Sequence, residues 1–153
     1  MTNEVFIESG ARTPIGSFMG YLSSFSAPEL AAAAIQKTLD TSSIEADQID
    51  EVLIGNVVSA GLKQAPARQA MRLAGIPDRC GATTINKVCG SGMKATMLAF
   101  DLIRSGSADT VLSGGMESMS NAPYLLANAR SGLRMGHSDT RDSLFTDECV
   151  IKV

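Results

Sequence analysis

The sequence predicts an α/β fold built on a largely parallel sheet, and three observations carry that expectation. Short apolar runs that suit strands alternate with longer runs of helical character. One strand, Val52-Leu53-Ile54-Gly55-Asn56-Val57-Val58, is apolar enough to be buried on both faces, as strands of a covered parallel sheet are. The helices between strands are long enough for right-handed βαβ crossovers, not hairpins.

The elements follow in order. Val5-Phe6-Ile7-Glu8-Ser9 reads as a first short strand, ended by Gly10 and the turn-rich Arg12-Thr13-Pro14-Ile15-Gly16. Ser26-Ala27-Pro28-Glu29 is a capping box opening an Ala-rich helix to about Leu39. Ser43 to Asp47 predicts a further helical turn, before the Val52–Val58 strand. Ala65 to Ala74 reads as a second helix, stopped by Gly75 with Pro77 close behind. Ala82-Thr83-Thr84-Ile85 is a buried strand, and Gly92 to Ile103 a helix closed by Ser105 and Gly106. Asp109 to Gly115 gives another strand with a glycine-rich end. From Ala122 onward periodicity fades, and Ser131 to Asp147 reads as a polar, irregular excursion.

The helix after residue 92 is unusual. Met93, Ala95, Met97, Leu98, Ala99, Phe100, Leu102 and Ile103 spread apolar groups around most of its circumference. Such a helix is expected to be buried between two layers. A half-sheet of this length cannot supply both, so something else must cover the second face.

Composition narrows the function. With 153 residues, 44% hydrophobic and 19% charged, the chain suits one globular domain with a real core. A net charge of -3 without clustered Lys or Arg argues against nucleic acid or an anionic membrane as main partner. No apolar run approaches ~18 residues, so no transmembrane helix is expected. The first residues lack the marks of a signal or transit peptide, and a cytoplasmic location is the default expectation. Cys80, Cys89 and Cys149 are odd in number and lack C-x-x-C spacing, which disfavours a disulfide framework and a structural zinc site. No metal and no bound cofactor is expected. His137 is the only histidine.

The chemistry concentrates in Asn86-Lys87-Val88-Cys89-Gly90-Ser91-Gly92-Met93-Lys94-Ala95. It sets Cys89 where a strand ends and a helix begins. A thiol there faces unpaired N–H groups and the positive end of the helix dipole, which favour a thiolate. Gly90 and Gly92 clear bulk beside the sulfur, so a substrate carbonyl can approach it. Most cysteines of cytosolic proteins are inert core residues, but a core cysteine has no need of two glycines at a helix start. Gly90 to Ala95 also fits G-x-G-x-x-A, a dinucleotide-binding fingerprint. Against that, the fingerprint wants an acidic residue at the end of the next strand, where Ser113-Gly114-Gly115 stands and Glu117 follows only in a loop.

Asn86 to Ala95 resembles the active-site segment of the thiolases, the acetyl-CoA C-acetyltransferases. Arg12 to Gly16, Gly55-Asn56-Val57, Ala67-Arg68-Gln69-Ala70 and the run from Gly114 to Tyr124 resemble further thiolase segments, in order and spacing, over residues 3 to about 147. Thr96 departs, standing where an aliphatic residue is usual. The resemblance implies a thiolase-type half: residues 1–120 an N-terminal α/β domain with the cysteine on a buried central helix, 121–147 the start of a CoA-binding loop region, and 148–153 a non-family tail from a truncation. It implies condensation of two acetyl-CoA, or thiolysis of a 3-oxoacyl-CoA by CoA, with Cys89 carrying the acyl group. It implies CoA thioesters as substrates and a homodimer or tetramer if the chain is completed.

The resemblance also implies partners for Cys89 that this sequence does not contain: a Gly-His-Pro histidine, an Asn-Glu-Ala-Phe asparagine and a Cys-x-Gly-Gly-Gly cysteine. His137 is read as an exposed loop residue and not as the base for Cys89. The chain alone is therefore expected to be incompetent for full turnover. The alternative is an inactive fragment, or a subunit that pairs with a full-length thiolase. The loops at Arg12–Gly16 and Gly114–Tyr124 are read as packing and interface elements.

Overall fold

The structure is a computed structural model that describes residues 4–146; Cys149 and the 148–153 tail lie outside the described residues. Its centre is a three-stranded parallel sheet. Strand β1 (Glu51–Gly55) lies between β2 (Gly81–Ile85) and β3 (Val111–Gly115), and Gly55 stands level with Ile85 and Gly115. All three strands therefore end in one row. Helix α2 (Pro66–Leu73) carries the chain from β1 out to β2, and α3 (Ser91–Ser105) carries it back across β1 to β3. Two crossovers of one hand running in opposite directions leave their helices on opposite faces of the sheet.

The alternation of β1 divides the core accordingly. Val52 and Ile54 point to one face, where α2 and α1 (Ala27–Asp40) supply Ala27, Ala31, Ile35, Ala67, Ala70 and Met71. Leu53 points to the other, against Ala95 and Ala99 of α3. Small residues along α1 and α2 let the two helices approach closely. The capping box forms at α1: Glu29 Oε2 accepts from the Ser26 N–H (2.8 Å) and the Ser26 hydroxyl (2.7 Å). Gly75 and Gly106 end α2 and α3 with φ of +88° and +75°, the left-handed turn that glycine adopts without a side-chain clash. Asp50 ties the far edge of the sheet, its Oδ2 accepting from the amides of Asp109 (2.8 Å) and Thr110 (2.9 Å).

Beyond the sheet, β4 (Tyr124–Leu125) pairs antiparallel with β5 (Arg141–Asp142), and a short α4 (Ser143–Thr146) follows. The rest of this region is irregular, as expected. No helix among the described residues is long and apolar enough to cross a membrane.

Three expectations need correction. Val5–Ser9 is not a strand: no described strand pairs with it, and Phe6 and Ile7 are 78% and 87% exposed. Ser43 donates its N–H and hydroxyl to Glu8 Oε1 and Ser9 bonds Thr41, which anchors the segment by side chains. A groove of about 460 Å³ separates it from Asp109–Ser113, and an apolar run without a neighbour in hydrogen-bond reach is not a strand. The Val52–Val58 run ends at Gly55, because the amides of Val57 and Val58 turn to the Glu117 carboxylate. The helical turn comes slightly later than expected, as a 3-10 turn at Ala46–Gln48. As expected of a half-sheet that cannot cover both sides of an all-round apolar helix, α3 is enclosed on one side only: Met93, Met97 and Phe100 are 71%, 51% and 48% exposed.

Candidate active site

The level ends of the three strands make a shelf, and the loops that leave it build a cleft of about 860 Å³. The loop after β2 brings Val88 and Cys89, the loop after β1 brings Asn56, Val57 and Val58, and the loop after β3 brings Met116 and Glu117. Clefts outside the carboxyl ends of parallel strands are where α/β proteins place ligands.

The Cys89 loop is tightly made. Val88 adopts a left-handed φ of +49°, a strained conformation for a β-branched residue that must be held by its surroundings. Asn86 Oδ1 accepts from the Val88 N–H (3.0 Å), the Lys87 N–H donates to Ser91 Oγ (2.8 Å), and the Ser91 hydroxyl donates to the Val88 carbonyl (2.6 Å). Ser91 is buried and fully engaged, so Cys89 is the candidate nucleophile that the turn leaves exposed. Its thiol is exposed at the mouth of the cleft, one residue before the Gly90 N-cap of α3. Among the described residues no backbone acceptor faces the amides of Cys89, Gly92 and Met93, the free donors expected where a helix starts.

Glycines bring this turn down onto the sheet. A Cβ on Gly55 would lie 2.5 Å from the Ser91 carbonyl carbon and 2.6 Å from the Gly92 nitrogen. Gly115 and Gly92 meet similarly, with 3.4 Å from a Gly115 Cβ to the Gly92 Cα. The start of α3 thus rests directly on the ends of β1 and β3.

Asn56 and Glu117 cross-link the other two loops. Asn56 is buried; its N–H donates to Ile85 O (3.0 Å), and its Nδ2 donates to Met116 O (3.3 Å) and Glu117 Oε1 (2.6 Å). Asn56 Oδ1 is buried with no hydrogen-bond partner among the described residues. Glu117 also accepts from the Val57 N–H (3.0 Å) and the Val58 N–H (3.1 Å). Burial pushes the Glu117 pKa up from its ordinary value, while the hydrogen bonds from Val57, Val58 and Asn56 pull it back down. With both oxygens so engaged, Glu117 does not stand ready for a nucleotide ribose, which removes support from the dinucleotide-binding reading.

The sequence-predicted residues separate cleanly. Cys89 reaches the cleft. His137 is exposed and does not line it. Cys80 lies in the core, where burial, then the charges of Glu51 and Asp50, push its thiol up. Gly55, Asn56, Gly115 and Glu117 stand in segments that resemble thiolases, but sequence alone gives none of them a role in the site. A polar residue directly after an apolar strand was the signal for Asn56; nothing local marked Glu117 as its partner. The loop from Gly114 to Tyr124 is a packing element beyond that point: Ser118 and Asn121 Nδ2 bond Phe25 O, and Ser120 Oγ accepts from the Met19 N–H. Its first residues belong to the cleft instead.

Residues 5–152 match the family model described as "Thiolase, N-terminal domain". The acetyl-CoA acetyltransferase of Pseudomonas aeruginosa is 49% identical over 144 residues, which cover 94% of this chain and 37% of that protein. Acetyl-CoA acetyltransferase 2 of Arabidopsis thaliana is 50% identical over 144 residues, 94% of this chain and 36% of its own length. The acetyl-CoA acetyltransferase of Escherichia coli is 47% identical over 142 residues, 92% of this chain and 36% of its own. The chain therefore spans somewhat over a third of the curated relatives it matches.

Proposed function

This chain belongs to the thiolase family, as an N-terminal domain, and we propose that it supplies the acyl-accepting half of an acetyl-CoA C-acetyltransferase site with Cys89 as nucleophile. The observation that carries the reading is the exposed Cys89 thiol at the mouth of the cleft, beside unoccupied amides of the α3 start. In the proposed step the Cys89 sulfur attacks the thioester carbonyl carbon of acetyl-CoA. The carbonyl oxygen gains the electron pair and is stabilised by the Cys89 amide. Collapse expels the CoA thiolate, which takes up a proton, and leaves acetyl-Cys89. A second acetyl-CoA, after losing an α-proton to a base, attacks acetyl-Cys89 through that carbon. The new C–C bond forms as the C–S bond breaks, giving a 3-oxoacyl-CoA and the Cys89 thiolate; thiolysis is the same path reversed.

The base that takes the Cys89 proton is not among the cleft residues described. In this proposal it comes from polypeptide beyond the third of the relatives' length that this chain covers. Residues 1–120 serve as the α/β domain and 121–147 open the CoA-binding loop region, with the completed protein a homodimer or tetramer. A reducing, cytoplasmic setting suits a chain whose Cys80 and Cys89 are both free thiols.

The test is intact-protein and peptide mass spectrometry after incubation with acetyl-CoA, with Cys89→Ser as control. Acetyl confined to Cys89 is the expected result; labelling that survives Cys89→Ser, or none, overturns it. The exposed Met93, Met97 and Phe100 favour a second reading, a chain that pairs with a full-length thiolase without doing chemistry itself. Co-purification with an intact thiolase, together with an unlabelled Cys89, would support that one.

A further inference from the structure

The loops after β1 and β3 are joined through a single carboxylate. Glu117 Oε1 accepts from Asn56 Nδ2 (2.6 Å) and the Val58 N–H (3.1 Å), and Oε2 accepts from the Val57 N–H (3.0 Å). The donors are three consecutive residues of one loop; the acceptor is on the other. The carboxylate is half-buried and lines the same cleft as Cys89. Neither ion pair found among the described residues involves it.

This nest suits a group that accepts on both oxygens. Two of the three donors are backbone N–H groups that cannot be turned away, and a glutamine placed there must aim its NH2 at one of them. Burial disfavours the charge, while the hydrogen bonds from Val57, Val58 and Asn56 favour it. General-base chemistry fits the arrangement poorly, because both oxygens are already occupied by donors.

We propose that Glu117 is a positioning residue for acyl transfer at Cys89: by clamping Asn56, Val57 and Val58 it fixes the wall of the cleft that holds the incoming acyl group against the sulfur. This rests on the function proposed above. The clamp acts on substrate placement and leaves the intrinsic reactivity of the thiol alone, since the Cys89 turn is held separately by Asn86, Lys87 and Ser91.

The experiment compares wild type, Glu117→Gln and Glu117→Ala in two labelling reactions of the full chain. Acetyl-CoA needs the wall; iodoacetamide needs only the exposed sulfur. Acetylation of Cys89 is expected to slow about tenfold to a hundredfold in Glu117→Ala, and less in Glu117→Gln. Alkylation stays within about twofold, because the thiol itself is untouched. Equal slowing of both reactions, or unchanged acetylation, overturns the proposal. If acetyl-CoA does not label wild type, the function reading has failed on its own account. Backbone hydrogen exchange then judges the clamp: faster exchange at Val57 and Val58 in Glu117→Ala, with β1 protected as before, supports it, and unchanged exchange overturns it.

Discussion

The two faces of the sheet are built to different standards. On the α1/α2 face fourteen buried residues form one continuous cluster, and Met71 and Val52 are fully enclosed. On the α3 face the buried apolar cluster among the described residues is just Leu53, Ala95 and Ala99, while Met93, Met97 and Phe100 lie open along the helix, Phe100 with the Arg104 guanidinium 5.5 Å from its ring centroid. Most of the packing and the candidate site thus fall to opposite faces. The closed face holds the sheet, and Cys89 stands just ahead of the first turn of the open helix. An apolar helix left open in this way is the pattern of a surface meant to be covered.

Two methionines should set the faces apart most sharply. Met71→Ala is expected to cost about 2–5 kcal/mol, because it empties a packed site. Met93→Ala should stay within about 0.5 kcal/mol, since the side chain is largely solvated already. Urea denaturation of both variants checks the pair; similar losses would mean the faces are not different in kind.

A smaller effect is expected where the faces meet. Gly55→Ala drives a methyl group into the backbone of Ser91 and Gly92, contacts that cannot rotate away. It should cost about 1–3 kcal/mol and also slow acetylation of Cys89, because the α3 start must lift. A variant that is destabilised but labels normally would separate the packing from the site.

The smallest effects are those of pH, and they sharpen the contrast between the shelf and the opposite edge of the sheet. Asp50 is held below its ordinary carboxyl value by the Thr110 and Asp109 amides, so its contribution is present at neutral pH and lost as pH falls through its folded value. Glu117 is raised by burial, so its contribution is full below its ordinary 4.5 and lost as pH rises through its folded value. Urea midpoints between about pH 3 and 8 should show a shallower alkaline-side fall in Glu117→Gln and a shallower acid-side fall in Asp50→Asn. Solvent screening keeps the Asp50 effect small. The opposite assignment of slopes would show that the hydrogen bonds at Glu117 outweigh its burial.

The sequence alone determined whatever depends on local pattern. The capping box at Ser26, the glycine stops at Gly75 and Gly106 and the thiol set at a helix start are each written within a few neighbouring residues, and each stands where it was read; the buried run of β1 begins as read and stops three residues early. The resemblance to thiolases was legible for the same reason, since its segments are contiguous. Only the tertiary structure decided the rest. Whether Val5–Ser9 pairs depends on a neighbour that local pattern does not supply. Which loop residues face Cys89 depends on three strands ending level at Gly55, Ile85 and Gly115. The link from Glu117 to Asn56, some sixty residues away, exists because two parallel crossovers return the chain to the same edge. Hydrogen bonds and burial act through space, and that distance is absent from a linear pattern.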